Sequence, residues 1–180
     1  MQEITTNDIP SVLERSLKSG SNKVPLFLGL FGLGKSHQAR QFATAQGMHY
    51  IDYRCAYKTF NDVRGYGVPN HDSGLMEFLR DEDLDFKDGV RNFIHWEEVL
   101  LAPRNTQKVL MQAILDKRIG KFRFPADTLM CASSNRLSNK ADVERMNAAL
   151  ADRFSPYWIR PDLDSFKKRL SSVGADIVLA

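Results

Sequence analysis

Apolar positions fall in short blocks separated by polar, turn-rich segments, and their period switches between that of a strand and that of a helix. Ile9, Val12, Leu13 and Leu17 share one face of a helix that Asp8 can cap and Pro10 can open, with a stop near Gly20. Residues 24–28 are uniformly apolar and predict a buried strand. Residues 36–46 follow as a helix, closed by Gly47. Strands are predicted at 48–53, 93–96, 128–132 and 157–159, and helices at 105–117, 142–151 and 163–172. A basic hairpin spans 117–124 and turns near Gly120, while 54–92 reads as an irregular insertion. Alternating strands and helices imply an α/β fold, with a parallel five-stranded sheet covered by helices on both faces.

Between the first buried strand and its helix lies Gly29-Leu30-Phe31-Gly32-Leu33-Gly34-Lys35-Ser36, which fills every fixed position of a phosphate-binding P-loop. Glycines let the backbone wrap closely around phosphate oxygens and turn several N–H groups inward. Lys35 adds a flexible positive charge for the outer phosphates, and Ser36 offers a hydroxyl to Mg²⁺. The helix that starts here adds its positive dipole end. Gly29, Gly32, Leu33, Gly34, Lys35, Ser36 and His37 are therefore the candidate nucleotide-binding residues.

Such a loop needs a carboxylate for the metal and a group to activate water. Glu97 and Glu98 end the third strand, whose carboxyl end opens on the same crevice. Glu97 is the candidate metal ligand with Ser36, and Glu98 the candidate catalytic base; a solvated helix start is the other reading of the pair. Asn135, after the fourth strand, could bond the γ-phosphate or the attacking water, or could simply cap a turn. Arg153 could be catalytic or only a cation at a helix end.

Composition sets bounds on these readings. The chain has 180 residues, 43% hydrophobic and 26% charged, which suits one domain with a real core. A net charge of +3 is too small to imply nucleic-acid binding by itself. Cys55 and Cys131 show no C-x-x-C spacing and suit buried thiols in a reducing compartment. With no leader pattern and no long apolar run, a soluble cytoplasmic protein is expected. Asp81, Asp83 and Asp85 fail as an EF-hand because Phe86 and Asn92 occupy the glycine and twelfth positions. The four histidines show no zinc spacing.

The pattern as a whole resembles the AAA+ ATPase core of the MoxR and dynein-related branch, over nearly the full chain. Asp62-Val63-Arg64-Gly65-Tyr66 is similar to the segment this branch places before Walker B. Glu97-Glu98 takes the Walker B place, Asn135-Arg136 that of sensor 1, and Ala149 to Phe154 that of the arginine-finger segment. The resemblance implies an α/β domain over 1–160 and, in 161–180, one helix of the small lid. It also implies a homo-oligomer, such as a six-membered ring, with ATP and Mg²⁺ between neighbours and Arg153 serving the next subunit's nucleotide. A protein client, or a partner with a von Willebrand factor A domain, would follow. Walker B in this branch carries Asp-Glu followed by Asn-Arg, whereas here Glu97 and Leu100-Leu101 stand in those places. A DNA-directed module is the alternative, kept open by Lys117, Arg118, Lys121 and Arg123 alternating with Phe122 and Phe124. A nucleotide-dependent scaffold without hydrolysis is another.

Overall fold

The computed structural model describes residues 2–20, 22–135 and 148–162. Its main sheet is wholly parallel and has six strands, one more than the apolar pattern predicts. β1 (Gln2–Ile4) is the addition; it is three residues long with one buried side chain, too short to show a period. β2 (Val24–Gly29) is buried at every position and lies inside the sheet. On one side it pairs with β10 (Phe154–Ile159) and then β1. On the other come β9 (Leu129–Asn135), β6 (Asn92–Glu97) and β3 (His49–Arg54).

Helices cover both faces. α1 (Ile9–Ser19) and α2 (Lys35–Ala45) bring Ile9, Val12, Leu13, Ala39, Phe42 and Ala43 against Phe27, Phe93, Cys131 and Ile159. On the opposite face α4 (Arg104–Asp116) inserts Val109, Leu110, Ala113 and Ile114 against Leu26, Ile51, Ile94, Trp96 and Ala132. Each such aliphatic side chain contributes about 1.5–3 kcal/mol on burial. Both cysteines are buried and free, as expected. α5 (Ala148–Ala151) is the described end of the helix predicted at 142–151; the helix predicted at 163–172 lies outside the described residues.

The segment read as irregular is more ordered than its sequence suggests. It holds α3 (Phe60–Arg64), whose capping Thr59 accepts from the Asp62 N–H while the Asp62 carboxylate accepts from the Thr59 N–H at 2.7 Å. An antiparallel hairpin follows, β4 (Tyr66–Asn70) with β5 (Leu75–Leu79). All of β5 is exposed, so the two-residue alternation that marks a half-buried strand is missing. The hairpin predicted at 117–124 forms as β7 (Arg118–Ile119) and β8 (Phe122–Arg123). Its aromatic residues turn inward: Phe122 and Phe124 pack on Phe86, with centroids 5.4 and 4.9 Å away. Lys117 is taken up by the carbonyls of Ala126 and Thr128. Of the rings that the DNA reading would use for stacking, Phe124 is buried in the core and Phe122 is half-buried against it.

Candidate nucleotide-binding site

The strand that leads into the loop explains its first glycine. A Cβ on Gly29 would stand 2.9 Å from the Ile159 carbonyl oxygen and 3.2 Å from Leu33 Cδ1. Gly32 and Gly34 adopt φ of 74° and 88°, the left-handed region that an L side chain resists. The loop is pinned from outside, because the Thr6 hydroxyl donates to the Leu33 carbonyl at 3.0 Å. Leu33 itself packs on the α1 and α2 core, so its part in the loop is through main chain.

These turns open a cleft of about 330 Å³ at the carboxyl ends of β2, β6 and β9. Gly32, Gly34, Lys35, Ser36 and His37 line one wall, and Glu97, Glu98 and Asn135 line the other. Gly29 and Leu33 support the loop without lining the cleft. Parallel pairing makes the convergence unavoidable: Glu97 stands opposite Ser133, and Asn135 opposite Gly29. The polar run Ser133-Ser134-Asn135 continues β9 and is buried, where the sequence suggested a strand already ended.

Lys35 is 7% exposed, and its ammonium donates to the carbonyls of Gly29 at 3.1 Å and Leu30 at 2.8 Å. It also donates to Asn135 Oδ1 at 3.3 Å. Burial lowers its pKa to about 8, against the opposing pull of Glu97 and Glu98. The Asn135 amide then donates to Glu98 Oε1 at 3.2 Å, so one side chain links the loop lysine to the second glutamate. Glu98 holds a left-handed φ of 54°, an uncommon backbone state for a side chain of its size. The Ser36 hydroxyl donates directly to Glu97 Oε1. Glu97 thus rests its carboxylate directly on the serine that was predicted to share its metal.

Arg153 lies elsewhere. Its carbonyl accepts from the Val24 N–H at the start of β2, whereas the loop leaves from the strand's end, roughly 17 Å away at about 3.3 Å per residue. Its guanidinium stands 3.9 Å from Asp152, and its Nε is buried with no hydrogen-bond partner. Leu100 packs on the core. Arg136 lies outside the described residues.

Sequence reasoning missed Arg54 and Tyr57, which also line the cleft with Ser133 and Ser134 of the polar run that ends β9. Arg54 Nε meets Glu97 Oε2 at 3.4 Å, a contact set by β3 pairing with β6. Sequence spacing gave no hint of the surroundings of His95. Strand pairing brings it beside Asp52 and Glu97, with one ligand atom of each residue within 4.8 Å of the others. His95 is fully buried, which holds its pKa near 4. It exchanges hydrogen bonds with the Tyr50 hydroxyl at 2.7 Å and the Ser133 hydroxyl at 2.8 Å.

The loop, the flanking parallel strands and the covered faces define a three-layer α/β fold with a P-loop-type turn at the carboxyl edge of its sheet. Solved structures agree. A closed-state reconstruction of Hsp104 with ATPγS and FITC-casein matches 97% of this chain with a TM-score of 0.65 and 18% identity. A protein from Cytophaga hutchinsonii named as a candidate ATPase matches 96% with a TM-score of 0.62 and 17% identity. NtrX from Brucella abortus in complex with ADP matches 93% with a TM-score of 0.59 and 19% identity. The chain spans 37%, 52% and 38% of those three chains, respectively. No protein-family model and no curated protein matches the sequence.

Proposed function

We propose that this chain is the core of a Mg²⁺-dependent ATPase of the MoxR-like kind, which assembles with copies of itself and remodels a protein partner. One observation carries the catalytic part: Asn135 bonds the P-loop lysine and the second glutamate together, in one cleft with the glycine turn. A turn that binds nothing would have no need to bury a lysine against two carbonyls, where its charge is less well solvated than in water.

The residues suit Mg²⁺, since the Ser36 hydroxyl and the Glu97 carboxylate are hard oxygen donors already in contact. When bound there, the ion would neutralise charge on the outer phosphates. The chain's own groups do the rest. Main-chain N–H groups of the turn cradle the phosphate oxygens, and Lys35 exchanges its carbonyl partners for the γ-phosphate. That exchange draws Lys35 from Asn135, leaving Asn135 free to orient the attacking water. As the water oxygen bonds to the γ-phosphorus, Glu98 accepts the water's proton and the bond from that phosphorus to the β–γ bridging oxygen breaks, leaving ADP and inorganic phosphate. Arg153 is too far from its own cleft to take part and would stabilise the charge developing in a neighbour's.

The test is turnover against protein concentration, with particle size measured with and without nucleotide. Turnover that rises with assembly supports the proposal. Glu98→Gln is expected to keep tight ATP binding and lose turnover by about 10²–10⁴-fold. Unchanged function in Glu98→Gln would instead make the chain a scaffold. Stimulation by DNA and by no protein would favour the DNA-directed alternative, which the inward-facing Phe122 and Phe124 disfavour.

A further inference from the structure

Asp52, His95 and Glu97 form a cluster that the hydrolytic chemistry does not fully use. Asp52 stands opposite His95 in the parallel register of β3 and β6, and Glu97 is two residues further along the same face. One Asp52 oxygen, Oδ1, is shielded from solvent and has no hydrogen-bond partner, an expensive state for a carboxylate. The other meets Arg40 at 3.4 Å and Arg54 at 3.7 Å, two side chains 61% exposed and well screened. Glu97 beside it offers only further acceptors, so the two carboxylates need a shared proton or a cation between them.

The third member supplies a softer donor. His95 is buried and held at both nitrogens, by Tyr50 and Ser133, the kind of contact that orients a ligating ring. One nitrogen would yield its present partner to an ion while the other kept the ring in place. With bonds of about 2.1 Å, neighbouring ligands around an ion stand about 3.0–3.4 Å apart, so the three donors, now within 4.8 Å of one another, would draw together on binding.

We infer that Asp52, His95 and Glu97 form a second cation site, which takes a first-row divalent transition metal in the absence of nucleotide. An imidazole among carboxylates selects such an ion over Ca²⁺, which prefers an all-oxygen shell. The site goes beyond the ATPase reading and does not depend on it, although Glu97 is common to both.

Mn²⁺ added to the nucleotide-free chain tests this by electron paramagnetic resonance. The expected result is one bound ion per chain, with nitrogen hyperfine coupling that disappears in His95→Gln. Asp52→Asn should weaken binding by tenfold or more. It also carries the test by itself if His95→Gln fails to fold, because Asp52 is partly exposed. No bound ion, a bound ion without nitrogen coupling, or unchanged affinity in Asp52→Asn would overturn the inference. ATP binding measured in parallel separates the two readings: ATP binding without the Mn²⁺ site overturns only this one, and the Mn²⁺ site without ATP binding only the other.

Discussion

Raising the pH should uncouple Lys35 from phosphate binding well before an ordinary lysine would lose its charge. In the free protein burial holds its pKa at about 8, below the usual 10.5, while Glu97 and Glu98 pull the other way. A bound triphosphate would restore a strong reason to stay protonated. The proton is therefore already present below pH 8 and must be taken up on binding above it. At pH 9 about one free molecule in ten carries it, so affinity falls about tenfold from its neutral value, or ~1.4 kcal/mol. Phosphate ionisation is complete at pH 9, because its second pKa lies near 6, whereas at pH 7 the tenth of a proton it gives up offsets the tenth that Lys35 takes. Titration calorimetry at pH 7 and pH 9, in buffers of different ionisation enthalpy, should show close to one proton taken up per ATP at pH 9 and almost no net uptake at pH 7. Equal affinity at both values, with a buffer-independent enthalpy, would refute the reasoning. Stability runs in the opposite sense. The folded pKa is below the unfolded one, so a penalty of roughly 3 kcal/mol is present below pH 8 and relaxes as pH rises toward 10.5.

Gly29→Ala should destabilise the fold by about 1–3 kcal/mol, because its Cβ would press on a backbone oxygen of β10 that has no room to move. An unchanged thermal midpoint would count against the close approach. Loss of the Asp62 cap in Asp62→Ala should cost about 1 kcal/mol by denaturant unfolding, with little effect on ATP affinity, since α3 lies outside the cleft. Mixing Arg153→Ala with Glu98→Gln subunits should restore turnover above the sum of the separate variants, as expected for an arginine that acts across an interface. No recovery in mixtures shown to co-assemble would remove that role.

Chemistry that depends on consecutive residues was legible in the chain. The octet from Gly29 to Ser36 specifies its own turn, because glycine freedom, a lysine and a hydroxyl at fixed offsets act within one loop. The buried strand before it and the helix after it follow from local periodicity. Glu97, Glu98 and Asn135 could be placed at the crevice because a parallel sheet sends every carboxyl end to one edge. The exposed hairpin of β4 and β5 was not legible, since strands without a buried face carry no alternation.

The sequence by itself thus determined the glycine-built loop, the layered α/β architecture and the main polar groups at its edge, all of which arise from contacts a few residues apart or from a general rule of parallel sheets. Only the tertiary structure decided which distant side chains meet: Asn135 between Lys35 and Glu98, Arg54 on Glu97, and Asp52 beside His95. It also turned Phe122 and Phe124 inward and set Arg153 at the far end of β2. The physical reason is register. Which residues of separate strands stand opposite each other is fixed by packing the whole sheet between its helices, and that information is not held in any one segment.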